Sequence, residues 1–168
     1  MKRIAVIGLV SYLGFALEFV LYNFWGPWGK PELLILVVIF FNLYLGIRFG
    51  IIAAVFCGIF KDALGVGPFG AYILVYIAGT YITTLVRRYL YQPGSRFSRA
   101  MVAFFAVTGC FIIQAILFNM NHEAETQNFA SLLLYILIPQ LVTTMIAATF
   151  VFAQLKNIST FFALKNAP

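Results

Sequence analysis

Long apolar runs alternate with brief polar breaks along the whole chain. Runs near 4–24, 32–47, 49–61, 69–90, 100–119 and 130–154 each predict a helix. Within them apolar residues occupy nearly every position, so no polar stripe marks a water-facing side, a pattern that belongs to buried or membrane-embedded helices. About 20 apolar helical residues cross a bilayer core, with a range of roughly 17 to 25. A single helix over 32–61 would be too long and would bury Arg48 centrally. Gly46-Ile47-Arg48-Phe49-Gly50 therefore predicts a tight turn between two short helices. The reading is an all-α integral membrane protein, a single transmembrane domain over 1–168 with six helices.

Composition supports this. Of 168 residues, 63% are hydrophobic and 10% charged, where a soluble domain carries roughly a quarter charged. Mean hydropathy is +0.99. The first run continues to about Phe24, too long for the core of a cleavable signal, and shows no small-x-small cleavage site, so an uncleaved first membrane helix is expected.

Charge sets an orientation. With six helices both termini share a side, together with Lys2, Arg3, Arg48, Arg87, Arg88, Arg96, Arg99, Lys156 and Lys165. Only Lys30 and Lys61 fall on the other side, so nine against two predicts cytoplasmic termini. Glu32, Asp62, Glu123 and Glu125 lie on the outer side. Trp25 and Trp28 at the outer boundary, with Tyr89 and Tyr91 at the inner one, suit interfacial anchors. The net charge of +6 flanks apolar runs and so argues against a nucleic-acid partner. The loops QPGSRFSR and NMNHEAETQN are too short to form domains.

Candidate chemistry is sparse. Cys57 and Cys110 lie within apolar runs and read as small apolar residues. His122 is the sole histidine and reads as a solvated loop side chain. No phosphate-binding loop, HExxH, GxSxG or Ser/His/Asp grouping appears, so no enzyme, metal or cofactor is expected. The segment KDALGVGPFGAY turns between two apolar helices. Its glycines Gly65, Gly67 and Gly70 permit positive φ, and Pro68 suits a helix start.

Some residues inside the runs stand out. Gly46, Gly50, Ala54 and Gly58 recur every four residues, and Asp62 is the next step. Such a row lets helices approach backbone to backbone, whether the neighbour belongs to this chain or to a partner. Glu18 lies about 9 Å inside the outer end of the first helix, where a carboxylate must face the bundle interior, a cavity or a partner. Asn42, Gln114, Gln140, Thr143 and Thr144 read as interhelical hydrogen-bonding residues. Alternatively Asn42, Gln114, Gln140 and Thr144 line an internal polar pocket.

The stretch GKPELLILVVIFFNLYLGIRFGIIAAVFCGIFKDALGVGPFGAYILVYIAGTYI resembles the core of MreD, the rod shape-determining membrane protein family. The shared features are Pro31 opening an aliphatic helix, a tight turn, a glycine-rich third helix, and Asp62 followed by Gly70 before another aliphatic run. This specific part covers residues 30–86, and the rest matches in hydropathy alone. The resemblance implies an architecture similar to the substrate-binding subunits of energy-coupling-factor transporters. It also implies a multi-pass protein of the bacterial cytoplasmic membrane that serves the cell-elongation machinery of lateral peptidoglycan synthesis without turnover of its own. The implied partner is MreC, with MreB, RodA and a class B penicillin-binding transpeptidase indirectly, and membrane lipids around them. On this reading Glu18, Gly50, Ala54, Gly58, Asp62, Gly67 and Gly70 form the partner-binding set. A vitamin-binding transporter subunit is the main rival. The small-residue pairs such a subunit would carry on helix one fail here, since Ala5 faces Leu9, Gly8 faces Tyr12 and Gly14 faces Glu18. A channel or ion-coupled carrier would need more intramembrane charge and an internal repeat.

Overall fold

The computed structural model describes residues 2–25, 30–64, 69–90, 96–121 and 138–161. Gly65, Gly67, Pro68, Trp28, Tyr91, His122 and the start of the helix expected from residue 130 lie outside the described residues. Six helices are described, α1 Lys2–Trp25, α2 Leu33–Leu45, α3 Ile47–Leu64, α4 Ala71–Leu90, α5 Arg96–Asn121 and α6 Ile138–Phe161. No strand occurs among the described residues.

Three of these helices hold a stretch long and apolar enough to cross a membrane, Arg3–Phe24, Ala100–Leu117 and Ile138–Leu155. Their outer faces carry large exposed apolar side chains, among them Leu13 and Leu17 on α1, Ile112 and Ile116 on α5, and Ile146 and Phe150 on α6. Exposed apolar surface of this extent marks contact with a membrane or with another protein.

The bundle is organised around α2. Its sequence LLILVVIFFNLYL is apolar on all sides except at Asn42, and every residue from Leu33 to Leu43 is buried. α2 packs against all five other helices. At 1.5 Å per residue it is about 20 Å long, shorter than the roughly 30 Å bilayer core. Helices on every side supply the apolar surroundings that a lone span would need from lipid.

Gly46 ends α2 at φ +92°, a left-handed conformation that suits glycine. Its N–H donates to the Asn42 carbonyl at 3.1 Å, and the Gly50 N–H donates to the Gly46 carbonyl at 3.1 Å, so α2 and α3 are joined by one non-helical residue. Arg48 is exposed in the first turn of α3. The expected turn is present, but α3 continues past Lys61 to Leu64. The apolar run ends at Lys61 and the helix does not, because Lys61 and Asp62 both find partners. α5 likewise begins at Arg96, ahead of its apolar run, and α6 continues to Phe161.

Glycines set the closest helix approaches. A Cβ on Gly58 would lie 2.6 Å from the Ile73 Cα on α4, and one on Gly50 would lie 2.8 Å from the Asn42 Cβ and 2.9 Å from the Thr80 Cγ2. Ala54 is fully buried between them. From Gly50 to Gly58 the row read as a helix-packing ridge is therefore filled by α2 and α4 of the same chain, whereas Gly46 belongs to the turn and a Cβ on it would meet nothing within 4 Å. Cys57 and Cys110 are buried and unbridged, and the Cys57 thiol donates to the Ser11 hydroxyl at 3.4 Å where α3 meets α1.

Candidate functional site

The first turn of any helix presents N–H groups that no intrahelical carbonyl can take. For α2 they are buried among other helices, so other parts of the chain must supply acceptors. Glu18 of α1 supplies one: its Oε2 accepts from the Leu33 N–H at 3.1 Å and the Leu34 N–H at 3.3 Å. Thr144 of α6 supplies another, its Oγ1 accepting from the Glu32 N–H at 3.1 Å. The carboxylate at this end of α2 also opposes the positive end of the helix dipole.

Lys61 stands at the centre of this polar head. Its Nζ donates to Glu18 Oε1, and to Glu32 Oε1 at 3.0 Å. Lys30 approaches Glu18 Oε1 at 3.2 Å, and Gln140 Nε2 donates to Glu32 Oε1 at 3.1 Å. Glu18 and Glu32 are 3% exposed and Lys61 is 9% exposed. Burying any one of these charges alone would cost several kcal/mol. Two carboxylates and two ammonium groups together carry no net charge, and multiple hydrogen bonds satisfy them. Lys61 Nζ also lies 5.5 Å from the centre of the Tyr72 ring, and the Tyr72 hydroxyl accepts from Gln114 Nε2 at 3.3 Å.

The four polar residues considered as one pocket thus occupy three places. Gln140 and Thr144 belong to the head of α2, with the Thr144 hydroxyl donating back to the Gln140 carbonyl at 2.6 Å. Gln114 reaches the head through Tyr72. Asn42 lies near the other end of α2, where Nδ2 donates to the Thr80 carbonyl at 2.7 Å and to Thr84 Oγ1 at 3.0 Å. The Asn42 backbone carbonyl accepts from Arg87 Nη1 at 3.2 Å. α2 is therefore closed at both ends by side chains distant in sequence.

Asp62 repeats the capping device locally. Oδ2 accepts from the Gly70 N–H at 3.0 Å and the Ile73 N–H at 3.4 Å, and Oδ1 accepts from the Tyr72 N–H at 3.1 Å. Gly70 has φ +100°. The eight-residue spacing from Asp62 to Gly70 thus closes the turn between α3 and α4 by capping α4 from the last turn of α3. Within its described part, KDALGVGPFGAY is a structural connection.

Sequence reasoning singled out Glu18 and passed over its partners. Glu32 and Lys61 looked like ordinary boundary charges. The available signal was stoichiometric: an embedded carboxylate requires a cation, and Lys30 and Lys61 are the only ones expected on its side.

Beside the polar head lies an apolar groove of about 670 Å³. Leu13, Gly14 and Leu17 of α1 form one wall, Thr143, Ile146, Ala147 and Phe150 of α6 the other, and Leu33 and Val37 of α2 the floor. Leu17 and Ile146 remain more than half exposed, at 54% and 59%. Nothing in an all-apolar sequence distinguishes groove residues from those facing lipid elsewhere. Only Gly14, whose added Cβ would lie 3.4 Å from Val37 Cγ2, hints at a recess.

Among the described residues no group of three or more His, Cys, Asp or Glu is arranged to hold a metal. In comparison with known proteins, the family described as rod shape-determining protein MreD matches residues 2–158 of the chain. No curated protein and no solved structure matches.

Proposed function

Because the chain belongs to the MreD family of rod shape-determining proteins, we propose that it is a non-enzymatic scaffold of the cell-elongation complex, binding MreC within the membrane. It lies in the bacterial cytoplasmic membrane as a multi-pass protein, termini inside and the Glu18 end of the bundle outward, in keeping with the nine-to-two distribution of Lys and Arg. Through MreC it associates indirectly with MreB, RodA and a class B penicillin-binding transpeptidase.

The groove between α1 and α6 is the observation that carries this reading. It is apolar and opens where α1 and α6 face the surroundings, so within a bilayer its occupants are lipid chains or a membrane helix. Its α6 wall runs from Thr143 to Leu155, about 18 Å along the helix, enough to seat three turns of a single membrane helix. Gly50, Ala54 and Gly58 serve the partner indirectly, by packing α3 against α2 and α4. Glu18 does so by holding α1, and Asp62 and Gly70 by closing the α3–α4 turn. Gly67 lies between α3 and α4 in sequence.

The test is purification of the tagged protein in mild detergent from its native cells, with the associated proteins identified by mass spectrometry. Wild type should bring down MreC and elongation synthases. The double variant Leu17→Trp/Ile146→Trp, which fills the groove from two exposed positions, should reduce MreC recovery at least tenfold while the chain stays inserted and monodisperse. Undiminished recovery overturns the groove as the docking site. Recovery of a paired ATPase and a coupling subunit in place of MreC overturns the scaffold reading in favour of a transporter subunit.

A further inference from the structure

The polar head of α2 also links the helices that form the two walls of the groove. Starting on α1, Glu18 bonds Lys61 of α3, Lys61 bonds Glu32 at the start of α2, and Glu32 bonds Gln140 of α6 through its carboxylate and Thr144 through its N–H. The two ends of this hydrogen-bonded chain stand on the two walls. Glu18 follows Leu17 in sequence, and Thr144 follows Thr143, both residues of the groove lining.

The two walls share α2 as a neighbour but do not brace each other directly. α1 packs on α2 and α3, α6 packs on α2 and α5, and neither packs extensively on the other among the described residues. Both walls also carry large exposed apolar faces, so little of each is fixed by burial. Buried, charge-assisted hydrogen bonds are directional and hold geometry more tightly than apolar contact does.

We propose that Lys61 is a positioning residue for the groove, bracketing α1 to α6 through Glu18 on one side and Glu32 with Gln140 on the other, so that the groove is held open at one width for a single membrane helix. The docking role rests on the function proposed above. The bracket itself does not, and can be measured without any partner. Pre-formed spacing lowers the ordering cost of binding, so Lys61 governs partner affinity although it does not line the groove.

The experiment measures the α1–α6 distance by pulsed dipolar spectroscopy, with spin labels at Leu13→Cys and Ile146→Cys. Both positions are exposed, while the native Cys57 and Cys110 are buried. The wild-type background should give one narrow distance. Lys61→Met should broaden and shift it, and Lys61→Arg should restore most of the narrow component. Gln140→Leu/Thr144→Val cuts only the α6 arm and leaves Glu18, Lys61 and Glu32 paired. It should shift the distance in the same way, and it decides the question if Lys61→Met fails to fold. An unchanged distance distribution in folded Lys61→Met, or in the α6-arm variant, overturns the bracket. A changed distribution with a tenfold or greater fall in MreC recovery supports both bracket and docking. A changed distribution with full MreC recovery supports the bracket and overturns the groove as the docking site.

Discussion

Two places where helices meet, the α3–α4 seam and the α1–α6 groove, each contain a glycine facing another helix, and they come out oppositely. At the seam Gly58 lies against backbone, with an added Cβ 2.6 Å from the Ile73 Cα. In the groove a Cβ on Gly14 would meet a side-chain methyl, 3.4 Å from Val37 Cγ2, and the opposing helix stands away. A row of small residues therefore marks where this chain closes on itself. The concavity is made by two walls, α1 and α6, that do not close on each other. The first kind of contact contributes to the stability of the bundle, and the second leaves the space in which the proposed partner helix docks.

The sharpest way to break that comparison is Gly58→Ala. The added methyl meets backbone on α4, which cannot move aside as a flexible side chain could, so α3 and α4 must separate. The expected loss is about 1–3 kcal/mol, typical of overpacking in a filled core, read as a lower thermal midpoint in detergent. Stability equal to wild type would mean that the seam is looser than its geometry states.

Asp62→Ala comes next. It removes the acceptor of three N–H groups at the start of α4 and leaves the rest of the seam intact. Loss of a helix cap costs about 0.5–2 kcal/mol. The upper half of that range is expected here because Asp62 is only 7% exposed and water replaces it poorly. Asp62→Asn keeps one accepting oxygen and should recover part of the loss. Equal stability of the Ala and Asn variants would remove the cap from the account of the turn.

These two positions also show what the sequence made legible. The helix-three ridge and the turn at Gly46 were readable, because each is a local relation along a few residues, while the Asp62–Gly70 spacing entered through the family resemblance and its capping role came from the structure. The partners of Glu18 were not. They come from the start of α2 and the end of α3, fifteen and forty-three residues away, and only the folded bundle brings them together. Helix ends failed for a related reason. The apolar run of α3 stops at Lys61, yet the helix continues to Leu64 because ion pairing and capping replace the solvent that charged residues would otherwise seek. The groove was least legible of all. Leu13, Leu17 and Ile146 are apolar residues among apolar residues, and their distinction lies in where α6 stands.

Gly14→Ala tests the groove side of the comparison and should have the smallest effect, opposite in sign. Gly14 lies within α1, well inside Lys2–Trp25, where glycine costs a helix roughly 0.5–1 kcal/mol relative to alanine. The added methyl would meet Val37 Cγ2 at 3.4 Å and Leu34 Cδ2 at 3.7 Å, ordinary contacts with side-chain ends that can adjust by a few tenths of an ångström. Helix propensity should therefore prevail over packing, and the thermal midpoint should rise slightly, by the equivalent of about 0.5 kcal/mol. The same substitution at Gly58 should lower it. If both variants lose comparable stability, Gly14 is packed as tightly as Gly58, and the wall of the groove belongs to the closed core of the bundle. If Gly14→Ala is neutral or stabilising and MreC recovery is also unchanged, α1 keeps its seat and the partner tolerates one extra methyl near the groove floor. Contact would then lie further out, at the exposed side chains of Leu17 and Ile146.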